Sequence, residues 1–143
     1  MKKKYLLWSA LITVLIVILG SSFVGCTQKG IKPLTDDEKA AMIEIALNHP
    51  EVSKWLETAD KYTTEVGWAA IGWSDGKATG WSRLDYEEIA DGNLPSDITY
   101  PGETVTIHPR VNIRVGEPVR MFIYVAFDRE TKEVVDVQLA PGR

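Results

Sequence analysis

The chain has 143 residues, 45% of them apolar, which is one domain's length and too hydrophobic for a disordered protein. Lys2, Lys3 and Lys4 sit at the extreme start and every acidic residue lies beyond position 35; setting those lysines aside leaves 13 basic against 20 acidic residues, a body near −7. That charge disfavours nucleic acid as a partner, and one cysteine, Cys26, with two histidines, His49 and His108, makes neither an intramolecular disulfide nor a structural zinc site; no cofactor is expected.

The start, "MKKKYLLWSALITVLIVILGSSFVGC", is a basic head, an apolar run and small residues, the layout of a secretory signal or membrane anchor. Residues 5–25 carry no charge and, at about 1.5 Å each, are long enough for a hydrocarbon core of ~30 Å. "FVGC", residues 23–26, resembles the lipobox of bacterial lipoprotein precursors. The resemblance implies cleavage before Cys26 and lipid attached to its sulfur. Gly25 and Cys26 match the pattern, and Phe23 stands where Leu is commonest. The alternative is a retained transmembrane helix. Under either reading the lysines stay cytoplasmic and the remaining chain is a soluble domain on the extracytoplasmic side of the cell membrane.

Residues 26–34, with "TQKGIKP", read as a tether. Thr35 with Glu38 forms a capping box, Asp36 and Asp37 suit the helix dipole, and Met42, Ile43, Ala46 and Leu47 make one buried stripe. Pro50 begins a second helix, capped by His49, whose apolar face is Val52, Trp55, Leu56 and Ala59.

Beyond Lys61 the period changes to two. Asp75-Gly76 is a type I′ hairpin signal that sets Ser74 opposite Lys77, Trp73 opposite Ala78 and Ala70 opposite Trp81. In that register Trp68 and Trp81 share one face, and Trp73 lies on the other with Ile71 and Leu84. Which face meets the helices is left open, because Tyr62 and Val66 accompany Trp68. Residues 85–103 are an acidic surface loop with one helical turn at residues 86–90.

"TVTIHPRVNIRV" alternates apolar with polar residues, a strand with one dry and one wet face, and Pro109 favours an edge position or a bulge. "VRMFIYVAF" is its partner. A loop at residues 116–118 sets Ile113 opposite Met121, Arg114 opposite Arg120, Asn112 opposite Phe122 and Arg110 opposite Tyr124. After "DRETKE", Val135, Val137 and Leu139 extend the dry face, with Asp136 and Gln138 on the wet one.

"YVAFDRETKEVVDVQLAPG" resembles the closing hairpin of PepSY-type domains, and "EKAAMIEIALNHPEV" resembles their helical part. Lys132 stands where that family usually has glycine in the turn. The resemblance implies a small extracytoplasmic α+β fold and, as an activity, peptidase inhibition.

The expected architecture is a single α+β domain over residues 35–143, with two helices on the dry face of an antiparallel sheet of about five strands, preceded by the N-terminal apolar helix. No enzyme signature is present. His108 is the one candidate general base, for a small hydrolase, and no Ser or Asp is held beside it by spacing. The wet face points instead to non-catalytic binding or regulation. Arg110, Arg114, Arg120, Phe122 and Tyr124, extended by Trp68 and Trp81, form a candidate surface for a peptide-like, cell-wall or other anionic partner, with a cation–π contact expected between Arg110 and Tyr124.

Overall fold

A computed structural model describes residues 30–97, 102 and 104–142. The apolar N-terminal segment and Cys26 lie outside the described residues, among which no helix is long and apolar enough to cross a membrane. Two helices, α1 (Asp36–Asn48) and α2 (Pro50–Leu56), precede β1 (Tyr62–Ser74) and β2 (Lys77–Leu84). A single turn, α3 (Tyr86–Ile89), follows, then β3 (Thr104–Val115), β4 (Met121–Phe127) and β5 (Val134–Pro141). The strands form one antiparallel sheet in the order β2-β1-β3-β4-β5. It curls so far that Trp81 on one edge strand reaches Asp136 on the other.

The helix starts follow local chemistry. Thr35 Oγ1 accepts from the Glu38 amide at 3.1 Å while Glu38 Oε2 accepts from the Thr35 amide at 2.8 Å, completing the expected box. His49 Nδ1 accepts from the Glu51 amide and caps α2. Met42, Ala46 and Val52 are fully buried against Val111, Ile113, Ile123, Val125 and Phe127 on the dry face. Each of these side chains larger than alanine contributes roughly 1.5–3 kcal/mol of burial. Trp55, expected in the apolar stripe, is 36% exposed, near the end of α2 at Leu56.

Two registers differ from the sequence expectation. The Asp75–Gly76 turn is as expected, with φ of 52° and 74° at its centre. Ser74 faces Lys77 and Trp73 faces Ala78, but β2 then carries one extra residue, Thr79, and Gly72 faces Gly80. The bulge reverses every later position of β2: Trp81 pairs with Ile71, not Ala70, and Trp68 pairs with Leu84. Trp68 and Leu84 are therefore on the helix-facing side, and Trp81 shares the opposite face with Trp73. Between β3 and β4 the connection is residues 116–120 rather than 116–118, so Ile113 faces Ile123, Asn112 faces Tyr124 and Arg114 faces Phe122. The shift is two residues, which preserves the faces and changes only the neighbours. Pro109 lies within the central strand, where pairing with β4 stops at Arg110, so its missing N–H falls at a local edge without a bulge.

Part of the expected tether is packed. The Ile31 amide donates to the Ala90 carbonyl, Tyr86 Oη donates to the Ile31 carbonyl, and Leu34 is buried. Arg129, in the β4–β5 turn, donates from Nη1 to the Lys32 carbonyl at 2.6 Å and from Nη2 to the Pro33 carbonyl at 3.1 Å. It also makes a two-point contact with the Glu38 carboxylate, Nε and Nη2 each at 3.1 Å, and lies 5.7 Å from the Trp68 ring centroid. In the same turn Lys132 adopts a φ of 58°, the left-handed conformation in which a glycine would be unstrained.

The Arg129 hydrogen bonds, followed by the Thr35 amide, lower the Glu38 pKa to about 2 from its ordinary 4.5. A depressed folded-state pKa stabilises the fold fully above pH 4.5 and loses that contribution as pH falls towards 2. Glu38→Gln should therefore unfold at a lower temperature than the parent at pH 7, and the gap should narrow below pH 4.5 and close only below about pH 2. Equal melting temperatures at pH 7 would contradict this role.

Candidate functional site

The concave face of the sheet, opposite the helices, is floored by small residues. Gly67 and Ala69 on β1 and Ala126 on β4 share it with Arg83, Arg110, Asn112, Phe122 and Tyr124. Trp81 and Tyr124 rise from either side, their ring centroids 6.3 Å apart, and Phe122 stacks on Tyr124 at 6.2 Å with the ring planes 8° apart. Trp81 Nε1 donates to Asp136 Oδ2 at 2.8 Å and so joins the two edge strands across the concavity. A cavity of about 400 Å³ remains, lined by Trp81, Arg83, Arg110, Asn112, Arg114 and Tyr124 among others.

Arg110 is the unusual member. It is only 7% exposed and sits 5.4 Å from the Tyr124 ring centroid, so the expected cation–π contact exists although Arg110 is paired with Ala126. Its neighbour on β1 is Gly67, where a Cβ would meet Nη2 at 3.4 Å, about ordinary contact distance. Burial first, and the nearby Arg83 charge second, lower its pKa from the ordinary arginine value. Among the described residues no carboxylate pairs with it. Asp85 lies 3.8 Å from Arg83 and Glu65 lies 3.7 Å from Arg114, both as exposed pairs. Two polar atoms here, Arg110 Nε and Asn112 Oδ1, are shut off from solvent with no hydrogen-bond partner. Each such omission costs about 1–3 kcal/mol.

Of the residues expected to bind, Arg110, Arg114, Phe122, Tyr124 and Trp81 come together around this cavity. Arg120 does not: it is exposed in the β3–β4 connection, outside the strand register. Trp68 is 6% exposed on the helix-facing side, beneath Arg129. Arg83 also lines the cavity, because the bulge turns it to this face and turns the Ser82 side chain away. The bulge's sequence signal was available in Gly80, an isolated glycine within a strand pattern.

His108 is on the same face, one pair away, and is held by protein on both sides. Its Nδ1 is 3.0 Å from the Phe127 carbonyl, which only accepts, so Nδ1 carries the hydrogen. Its Nε2 is 2.6 Å from Thr106 Oγ1, and that hydroxyl already accepts from Trp73 Nε1 at 2.7 Å, leaving its own proton for the imidazole. Neither ring nitrogen is turned to the cavity, whose lining does not include His108.

Comparison with protein-family models, with curated proteins and with solved structures gives no match.

A buried cation without a counter-charge weakens a fold. Arg110→Met, which keeps the length and removes the charge, should raise the urea midpoint, equivalent to about 1–2 kcal/mol. A lowered midpoint would mean that the Tyr124 contact outweighs the burial cost.

Proposed function

We propose that this chain is a membrane-anchored, extracytoplasmic binding domain whose concave sheet face takes an anionic ligand, in a non-catalytic role. The observation that carries the reading is Arg110: a buried guanidinium, facing a cavity, with no carboxylate paired to it among the described residues. Arg83 and Arg114 each have an acidic neighbour, and Arg110 is left to be completed from outside the fold. The aromatic walls supply area for the ligand's apolar part, and the small floor residues supply depth. Binding a counter-ion at a half-enclosed, aromatic-walled site gains more than the same contact on a fully exposed surface. A hydrolytic role for His108 at this cavity has less support, because its ring nitrogens are turned to the Thr106 hydroxyl and the Phe127 carbonyl and it is not among the residues lining the cavity. For the membrane anchor, the support is the uncharged run of residues 5–25 and the lipobox-like ending at Cys26.

Calorimetric titration of the full-length chain in detergent micelles with 3-phenylpropionate, an aromatic monocarboxylate, tests the site. Saturable one-to-one binding is expected, with Arg110→Met weakening it about tenfold or more and Arg120→Ala leaving it unchanged. Equal binding by Arg110→Met and the parent would remove the proposal.

Anchoring is tested separately by intact mass of the membrane-extracted chain. A mature protein that begins at Cys26 and carries acyl chains, lost in Cys26→Ser, is expected. An uncleaved, unmodified chain would instead establish the retained helix.

A further inference from the structure

The cavity's chemistry narrows the ligand class, on the premise that the concave face is an anion site. We infer that the ligand is the C-terminal end of a peptide, its terminal carboxylate facing Arg110 and a backbone N–H donating to Asn112. Three features converge on this class. The first is charge. No acidic residue lines the cavity; Arg83 and Arg114 have Asp85 and Glu65 as neighbours, Asp136 is engaged by the Trp81 indole, and Arg110 is the lining guanidinium without an ion pair. One guanidinium without an ion pair suits a monoanion such as a carboxylate, whereas a phosphate monoester brings about −1.5 to −2.

The second is the polarity of the unpaired atoms. Arg110 Nε is a donor without an acceptor, and Asn112 Oδ1 is an acceptor without a donor. A simple carboxylate answers only the first. A peptide end answers both, because it carries a carboxylate and N–H groups on one chain. Arg110 and Asn112 are alternate residues of β3, so their Cα atoms are about 6.8 Å apart, the same repeat an extended peptide has along its own backbone. Both atoms are sealed from solvent, so a ligand reaches them only by entering the cavity and drawing the side chains towards itself.

The third is the wall. Trp81, Tyr124 and Phe122 present aromatic surface beside the cation, suited to an apolar C-terminal side chain, while Gln138 adds an amide for further main-chain contacts.

Three probes titrated into the full-length chain in micelles decide the matter: the tripeptide Ala-Ala-Phe with a free carboxylate, its C-terminal amide, and 3-phenylpropionate. The free acid should bind at least tenfold more tightly than the amide and severalfold more tightly than 3-phenylpropionate. Asn112→Leu should erase the tripeptide's advantage while still binding 3-phenylpropionate, which also reports that the variant is folded. Equal affinity for acid and amide overturns the carboxylate assignment. Equal affinity for tripeptide and 3-phenylpropionate, or an advantage that survives in Asn112→Leu, overturns the peptide inference and leaves the anion site standing. Binding of none of the three removes both.

Discussion

One extra residue in β2 decides what the concave face contains. Without the bulge at Thr79, Trp68 would face Arg83, and a guanidinium would be driven into the layer between sheet and helices. With it, Leu84 takes that place, 2% exposed, and Arg83 turns to the concave side. The hydrophobic pattern enforces this choice, because Leu84 and Arg83 cannot both be well placed in the unbulged register. Trp81 is carried along by the same reversal. Its indole then spans to Asp136, and it is this contact that links the edges of the curled sheet. Added local twist is what a bulge supplies.

The elements that were legible in the sequence are those specified by local chemistry. The Thr35–Glu38 box, the Pro50 start, the His49 cap and the Asp75-Gly76 turn each rest on side chains within four residues of one another, and each is present. The dry face of β3 and β4 was legible too, since alternation reports faces directly. Register was less so. A loop of five residues and one of three place the same faces together and differ only in which residues meet, so Arg114 against Phe122 could not be told from Arg114 against Arg120 by pattern alone. The cavity was out of reach for a further reason. It depends on a contact between strands at opposite ends of the sheet, and no periodicity records how far a sheet curls.

The three tryptophans of residues 67–81 show the same division. Trp68 is core, capped by Arg129. Trp73 ties Thr106 into the His108 network. Trp81 walls the cavity. Close spacing in sequence gave them neither a common face nor a common partner.

Two arginines in this domain sit over aromatic rings, and the contrast between them bears on what Arg110 is for. Arg129 lies over Trp68 with a carboxylate bonded at two points and two backbone carbonyls, a guanidinium completed by the fold. Arg110 lies over Tyr124 at a similar distance, is more deeply buried, and has neither carboxylate nor a partner for Nε. The chain thus shows, in its β4–β5 turn, what a satisfied arginine of this kind requires. A structural arginine in the position of Arg110 would gain from an acidic neighbour on β1, and the residue facing it there is Gly67, which removes both charge and bulk. Incompleteness next to an open cavity is a cost to stability that a counter-charge could offset.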